Sequence, residues 1–367
     1  MRLPRILVIT NIPNPYRIPL FNELNKQLLA EGYALKVVFA ALGYNRRKWK
    51  INLEDCQFNY CVLPSIKFGN KENVSFTYPH LNKLLKDEQP VAIISNGFSI
   101  ATIKLWLRNL IKPTPYIIWS GAITNRFIPI SRHRKWQRKL LVKGARGFIA
   151  YGTKAKEYLV SLGADVSKVH IAINTVDTMF FAQQSDNTKQ NKLLYLGHLT
   201  KGKRLDLLLN AIQILSKQNS DFMLYLVGDG PERKNLQKLV KQLHIENFVR
   251  FEGFKQKQEI PNYLAQSSCF LFPSEYDIWG LVLVEAMASA IPSIASIHAG
   301  ATSDLIQDGK TGFAMDFSDQ HKVAERIQWI LEHPESAKDI GLAAKKFIEE
   351  HVNLRVSAQG IVKAILS

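Results

Sequence analysis

The sequence predicts an α/β protein made of two doubly wound parallel-sheet domains. Three observations support this fold class. Short apolar runs alternate with helix-like segments along the chain, the alternation restarts near Lys192, and 367 residues are enough for about two domains. Short buried strands separated by helices are typical of parallel sheets covered on both faces. We therefore expect two Rossmann-like domains that face each other across a cleft.

The individual elements follow from the same alternation. In the first half, the predicted strands are RILVIT, ALKVVFA, VAIIS, YIIWS and GFIAYG, and the predicted helices span residues 16–29, 100–110 and 155–162. In the second half, KLLYLG, FMLYLVG and CFLFP precede predicted helices at 204–217, 231–243 and from about 280. Each apolar run is far shorter than the roughly 20 residues of a membrane span, so no span is predicted.

A polar stretch separates the two halves. The second part of NTVDTMFFAQQSDNTKQNK lacks apolar periodicity, which is the usual texture of an interdomain linker. We therefore assign residues 1–180 to the first domain and 181–352 to the second, followed by a C-terminal helix in 353–367.

Positive charge is concentrated in the first half of the chain. Residues 1–184 hold 27 Lys and Arg against 10 Asp and Glu, whereas the remainder holds 21 of each. No acid lies between Glu88 and Glu157, and the basic residues there alternate with Trp136 and leucines. This pattern favours attraction to an anionic surface. We expect a cytoplasmic protein that binds the inner membrane face through residues 132–143 and 46–50.

The most informative stretch is SEYDIWGLVLVEAMASA, in which Asp277 precedes a glycine and Glu285 follows it. If a helix begins near Gly280, the free N–H groups of Gly280, Leu281 and Val282 favour an anion such as a diphosphate. Glu285 would then lie roughly 7 Å along the helix axis, within reach of sugar or ribose hydroxyls. Asp277 would bind hydroxyls of a second sugar. The two acids therefore predict a nucleotide-sugar site.

These residues resemble the family 4 retaining glycosyltransferases of the GT-B fold, whose mark is a Glu-x7-Glu motif. Here the motif stands as PSEYDIWGLVLVEAMASAIP, with Asp277 in place of the first Glu. YLGHLTKGKRLDLLL resembles the family's phosphate loop, and LVGDGPER its tight turn. AYGTKAKEYLVSLGADVSKVHIAINTVDTMFF and DGKTGF are also similar to family segments. The resemblance covers nearly the whole chain.

The resemblance implies a role for each of these positions. Glu285 would bind the donor ribose, and Asp277 would lie against the transferred sugar. The backbone at Leu281 and Val282 would meet the diphosphate, and Lys203 matches the family's phosphate-binding lysine. The first domain would bind the acceptor, and the final helix would cross back to it. Neither a metal ion nor another cofactor is expected.

The chain also departs from the family pattern. The phosphate loop has His198 where relatives usually have arginine. A guanidinium is permanently charged and can donate two hydrogen bonds to a phosphate, whereas an imidazole donates one at a time and is charged only when protonated. Arg204 stands where relatives often have glycine, so we expect it to compensate. The first loop reads NIPNPYRIPLF instead of a glycine-rich sequence, and YIIWSGA lacks the histidine that relatives often carry.

The expected function is retaining transfer of a hexose-type sugar from a nucleotide-diphosphate sugar to a saccharide or lipid-linked acceptor, in cell-surface polysaccharide or glycolipid synthesis. Two alternatives stay open. A sugar-nucleotide 2-epimerase shares the scaffold and acts on the nucleotide-sugar alone. A nucleic-acid-binding protein would fit a pI near 9.6, although no known nucleic-acid module is present in the sequence.

Overall fold

The computed structural model describes residues 3–43, 52–69, 74–124, 129–182 and 191–367. Contacts divide the chain into two compact units. Unit 1 comprises Met1–Val176 and Leu354–Ser367, and unit 2 comprises Asp177–Asn353. The boundary predicted at 180/181 lies just after this division, and most of the polar linker, residues 183–190, lies outside the described residues.

Unit 1 is built on a parallel sheet. With labels in chain order, its strands are β1 (Arg5–Thr10), β2 (Ala34–Phe39), β3 (Asn59–Val62), β6 (Ala92–Asn96), β7 (Tyr116–Ser120), β8 (Gly147–Ala150) and β9 (Val169–Ile171). Their order in the sheet is β3-β2-β1-β6-β7-β8-β9. Ile6 of the central β1 pairs with Leu35 on one side and Ala92 on the other. A separate antiparallel hairpin joins β4 (Lys67–Gly69) and β5 (Val74–Phe76).

The helices of unit 1 cover this sheet. They are α1 (Ile18–Ala30), α2 (Leu81–Glu88), α3 (Ile100–Asn109), α4 (Arg132–Lys143), α5 (Thr153–Ser161) and the last helix of the chain, α14 (Leu354–Leu366). Helix α14 packs on α1, β8 and β9, and it buries Ala358, Ile361 and Ile365 in the unit 1 core. The segment predicted as a C-terminal helix therefore belongs to the first folding unit.

Unit 2 repeats the architecture. Its strands are β10 (Lys192–Leu196), β11 (Met223–Val227), β12 (Val249–Gly253), β13 (Cys269–Phe272), β14 (Ser293–Ser296) and β15 (Phe313–Met315). Their order is β12-β11-β10-β13-β14-β15, and all pairs are parallel. Its helices are α6 (Thr178–Phe181), α7 (Leu205–Ser216), α8 (Arg233–Gln242), α9 (Ile260–Ala265), α10 (Leu281–Ala288), α11 (Thr302–Leu305), α12 (Gln320–Glu332) and α13 (Pro334–His351).

The predicted fold class is confirmed, because each unit is a Rossmann-like parallel sheet with helices between its strands. Helix starts lie within two residues of the prediction. The helix predicted from Pro231 begins at Arg233, because the N–H of Arg233 bonds to the carbonyl of Gly230 in a turn before the helix. Within the described residues, no helix is both long and apolar enough to cross a bilayer.

Candidate functional site

The strand order of unit 2 creates a place for a ligand. Successive strands are added outward from β10 in one direction and from β13 in the other, so the loops after these two strands diverge. In open α/β sheets, ligands bind at such a switch point, beyond the carboxyl ends of the strands. The two loops, 197–204 and 273–280, contain His198, Lys203, Arg204, Asp277 and Gly280, all of which the sequence nominated.

The loop after β10 rests directly on the loop after β11. Gly228 has φ +144°, and a Cβ at that position would lie 1.8 Å from the carbonyl oxygen of Gly197. The N–H of Leu199 donates to the carbonyl of Asp229 at 3.1 Å. Only glycine allows the two backbones to approach this closely. The tight turn LVGDGPER therefore supports the loop that carries His198 and Lys203.

Lys203 and Asp277 lie in direct contact. The Nζ atom of Lys203 donates to Oδ2 of Asp277, and each side chain is only about a fifth exposed. The ammonium also lies 5.7 Å from the ring centroid of Phe272. A partly exposed ion pair of this kind contributes about 0–1 kcal/mol to stability. It can therefore be opened by a ligand that offers phosphate oxygens to the lysine and hydroxyls to the aspartate.

Asp277 also shapes its own loop. Its Oδ1 atom accepts the N–H of Trp279 at 3.3 Å, and its carbonyl accepts the N–H of Gly300 at 2.8 Å. The carbonyl of Trp279 in turn accepts the N–H of Ala301 at 3.1 Å. These bonds fix the path of the chain into α10, so that the carboxylate and the helix N-terminus are held near one another.

Helix α10 begins where the sequence predicts. Gly280 has φ +98°, and a Cβ there would lie 2.4 Å from the ring of Phe272. The carbonyl of Gly280 accepts the N–H of Leu283 at 3.0 Å. Within the described chain, no backbone hydrogen bond engages the N–H groups of Gly280, Leu281 or Val282. The first turn thus keeps the donors that make a helix N-terminus attractive to anions.

Glu285 is buried, with 2% of its surface exposed. Helix α10 lies between the sheet and helices α6 and α13, and Leu283, Val284, Ala286 and Met287 are buried around the acid. Burying a carboxylate costs several kcal/mol unless it is paired or hydrogen-bonded. Glu285 is therefore not a surface carboxylate. An acid without a functional role would be costly in free energy at this core position.

Arg204 joins the two loops. It adopts the left-handed region with φ +47° at the start of α7. Its Nε donates to Oδ1 of Asp206 at 3.1 Å, and its Nη1 donates to Oε1 of Glu275 at 2.9 Å. The bond with Asp206, followed by the bond with Glu275, raises the pKa of the Arg204 guanidinium. Since two carboxylates occupy this guanidinium, its contact with a phosphate stays a prediction.

His198 is exposed and has one ring nitrogen engaged. Its Nδ1 lies 2.5 Å from the carbonyl oxygen of Asp229. A carbonyl only accepts, so Nδ1 carries a proton, and the neutral ring presents Nε2 as an acceptor. Such a ring can donate to a phosphate through Nε2 only when it is protonated. His198 would therefore bind a phosphate more weakly than the arginine that is usual in relatives. Its role stays a prediction.

Three residues of the site were not nominated from the sequence. Glu275 binds Arg204, Phe272 packs against both Gly280 and Lys203, and Trp279 is 3% exposed with its Nε1 buried and without a hydrogen-bond partner in the described chain. Glu275 and Trp279 lie inside the motif stretch, but neither charge nor periodicity distinguishes them. The contacts of these three residues become clear only in the fold, where β10 and β13 are neighbours in the sheet.

Part of the chain is similar to known glycosyltransferases. Residues 177–347 match the family Glycosyl transferases group 1. The chain is 34% identical over 160 residues to N-acetyl-alpha-D-glucosaminyl L-malate synthase of Bacillus anthracis, which covers 43% of this chain and 40% of that protein. It is 29% identical over 177 residues to a putative colanic acid biosynthesis glycosyltransferase of Salmonella typhimurium, covering 46% and 43%. Each alignment thus spans less than half of the relative's length.

Solved structures resemble the chain over nearly its full length. Anabaena HepE in complex with UDP-glucose superposes with a TM-score of 0.75, covers 99% of both chains and is 18% identical. At this identity the likeness concerns the fold, which is GT-B. The chain therefore has the GT-B architecture of two Rossmann-like units. The match to the family Glycosyl transferases group 1 covers most of unit 2.

Proposed function

We propose that the chain transfers a hexose-type sugar from a nucleotide-diphosphate sugar to a saccharide or lipid-linked acceptor, with retention at the anomeric carbon and without a metal ion or other cofactor. One observation carries the proposal. Lys203 and Asp277 meet at the switch point of unit 2, beside the N-terminus of the helix that buries Glu285. The proposed product is a cell-surface polysaccharide or glycolipid, as the name of the Salmonella relative suggests.

The proposed chemistry uses charges fixed by the protein. Cleavage of the anomeric C–O bond places negative charge on the departing diphosphate. The N–H groups of Gly280, Leu281 and Val282, together with Lys203, would stabilise that charge as it develops. A cation about 4 Å from a phosphate oxygen contributes roughly 4 kcal/mol at an effective dielectric constant of 20, before desolvation is deducted. Glu285 would hold the ribose hydroxyls.

The Lys203–Asp277 contact would be exchanged on donor binding. Diphosphate oxygens would replace the carboxylate around Nζ, and Asp277 would turn to the hydroxyls of the transferred sugar. Both residues keep hydrogen-bonding partners before and after the exchange. The site would therefore be preorganised without leaving a charge unpaired in the free enzyme.

Thermal denaturation with a panel of UDP-, GDP-, ADP- and dTDP-sugars tests the proposal. A donor at 100 times its dissociation constant adds about 2.7 kcal/mol to the free energy of unfolding. For a unit of this size we expect the midpoint to rise by about 5–10 °C. The matching nucleoside monophosphates serve as controls, because they lack the diphosphate and the sugar.

The same panel separates the alternatives. Transfer requires an acceptor, whereas a 2-epimerase converts the stabilising nucleotide-sugar by itself, which sugar analysis of the acceptor-free reaction would detect. A protein that ignores every nucleotide-sugar but shifts a duplex in a salt-sensitive gel assay would instead be a nucleic-acid-binding protein.

We also propose that α4 attaches the enzyme to an anionic membrane surface. Its exposed side includes Arg132, Arg134, Lys135, Lys139 and Lys143, and Trp136 between them is 65% exposed. Leu141 and Val142 face the core. Arg138 does not belong to the exposed set, since its Nη1 donates to the Tyr158 hydroxyl at 2.5 Å. The other predicted basic segment, residues 46–50, and Arg126 lie outside the described residues.

Neutralising α4 is expected to release the protein from anionic vesicles. Each exposed cation near such a surface contributes about 1 kcal/mol, so changing Arg134, Lys135 and Lys139 to Gln should weaken binding roughly a hundredfold at low salt. Sedimentation with phosphatidylglycerol vesicles measures the change. The matched control changes Lys234, Lys238 and Lys241 on α8, which are exposed cations of unit 2. Equal binding by both triple variants would contradict the proposal.

A further inference from the structure

Unit 1 has a switch point of its own. Its strand order reverses direction between β1 and β6, so the loops that follow these strands diverge as in unit 2. Residues 11–16 follow β1, and Arg17 closes this loop immediately before α1. The N–H of Arg17 bonds to the carbonyl of Asn14 at 2.7 Å, which fixes its backbone at the carboxyl edge of the sheet.

The guanidinium of Arg17 lies against two aromatic rings. Its Cζ is 4.4 Å from the ring centroid of Trp119, near the end of β7, and 4.9 Å from that of Tyr151, which follows β8. The two rings contact each other edge to face, with centroids 6.1 Å apart. Cation–π contacts of this kind orient an arginine while leaving its N–H edge available for a ligand.

The Arg17 side chain has no anionic partner. Within the described chain it makes no ion pair and no hydrogen bond, and its Nη1 atom is buried without an acceptor. The residue as a whole is only partly buried. By contrast, Arg5 is paired with Glu88, and Arg204 is paired with Glu275. A guanidinium carries five N–H donors, and leaving buried donors unmet is costly.

Further unmet polar atoms lie in the same cluster. The Nε1 atom of Trp119 is buried without a partner, and Trp119 is 4% exposed. Asn174, whose N–H bonds to the carbonyl of Tyr151 at 3.0 Å, is 5% exposed and has a buried, unpartnered Oδ1. A cation, an N–H donor and an amide oxygen without partners are the groups expected to bind a polar ligand that carries a negative charge.

The charge of unit 1 strengthens the argument. Its residues include 29 Lys and Arg but only 9 Asp and Glu, whereas unit 2 has 19 and 22. No acid lies anywhere in residues 89–156, which include both Trp119 and Tyr151. An excess of cations raises the local concentration of anionic ligands.

We propose that Arg17 binds a carboxylate or phosphate group of the acceptor, held at the carboxyl edge of the unit 1 sheet. This inference rests on the proposed function, in which unit 1 receives the acceptor. A planar guanidinium can donate two parallel N–H bonds to either oxyanion, and the rings of Trp119 and Tyr151 fix its plane. The acceptor is therefore an acidic saccharide or a phosphate-bearing lipid or saccharide, not a neutral sugar.

Paired probes test this inference on the full chain at constant ionic strength. Methyl glucuronide is compared with methyl glucoside, and glycerol 3-phosphate with glycerol, by titration calorimetry and thermal denaturation. We expect wild-type protein to bind at least one anionic probe and neither neutral one. Arg17→Gln should weaken that binding roughly ten- to hundredfold. Arg17→Lys should fall in between, because it keeps the charge and loses the two-pronged geometry.

Matched measurements keep the test decisive. Arg355→Gln removes the same charge from an exposed position on α14 of unit 1 and should bind the probes as wild type does. Binding of the glucuronide indicates a carboxylate in the acceptor. Binding of glycerol 3-phosphate indicates a phosphate in the acceptor. Equal affinities of wild type, Arg17→Gln and Arg355→Gln, or no binding of either anion, would overturn the inference.

Donor binding separates this inference from the proposed function. If nucleotide-sugars stabilise Arg17→Gln as they do wild type, the variant is folded, and lost anion binding reports on Arg17 alone. Arg17-dependent anion binding by a protein that ignores every nucleotide-sugar would keep the Arg17 site and remove the proposed function. Donor binding without Arg17-dependent anion binding would keep the proposed function and remove the Arg17 site.

Discussion

Replacing Lys203 by Met is expected to lower the rate of sugar transfer by about two to three orders of magnitude. The lysine ammonium lies at the switch point of unit 2 and contacts Asp277, and in the proposed function it would meet the leaving diphosphate. The charge on that group is greater in the transition state than in the bound donor. The loss should therefore appear mainly in kcat and less in KM. Initial rates with the donor identified by the thermal panel measure it.

A control on the same loop separates this effect from a general loss of charge. Lys201 is exposed and has the same side chain, so Lys201→Met should change the rate by only about two- to threefold. The Lys203–Asp277 pair is partly exposed, and losing it should reduce the free energy of unfolding by about 1 kcal/mol at most. A Lys203→Met enzyme that kept nearly full activity would place the diphosphate elsewhere.

The sequence predicts the two sheets because their strands are short, apolar and buried on both faces, which leaves a readable alternation with helices. It also predicts where α10 begins, since only glycine fits at Gly280 against the ring of Phe272. The contact between Lys203 and Asp277, by contrast, could not be predicted from the sequence. These residues lie 74 positions apart, and they meet only because β13 pairs with β10, a long-range fact that local patterns do not encode.

The Arg17 cluster shows the same limit. The loop NIPNPYRIPLF is unusual in sequence, yet it gives no sign that Arg17 stacks on rings more than a hundred residues away. The sequence also predicts a helix from Tyr16, whereas α1 begins at Ile18 and leaves Arg17 at its cap. By contrast, the burial of Glu285 can be anticipated, because LVLVEAMA is apolar on all sides and such helices lie inside a fold.

Changing Glu285 to Gln is expected to lower kcat/KM by about two orders of magnitude or more. The carboxylate can accept a hydrogen bond from each of two ribose hydroxyls, and hydrogen bonds to a charged group contribute about 1.5–3 kcal/mol each. The amide has nearly the same volume but only one acceptor oxygen, and its NH₂ group faces hydroxyls that also need an acceptor. Steady-state kinetics over a range of donor concentrations measure the loss.

Stability should respond differently from activity, and this contrast identifies the role of the acid. Glu285 is 2% exposed, so neutralising it removes a desolvation cost while it weakens contacts within the core. We expect the free energy of unfolding in urea to change by less than about 2 kcal/mol, while Glu325→Gln on the exposed face of α12 alters neither property. Acids kept in a core for function usually reduce stability there. A Glu285→Gln protein that is strongly destabilised but transfers sugar at the wild-type rate would make Glu285 a structural acid and would move the donor away from α10.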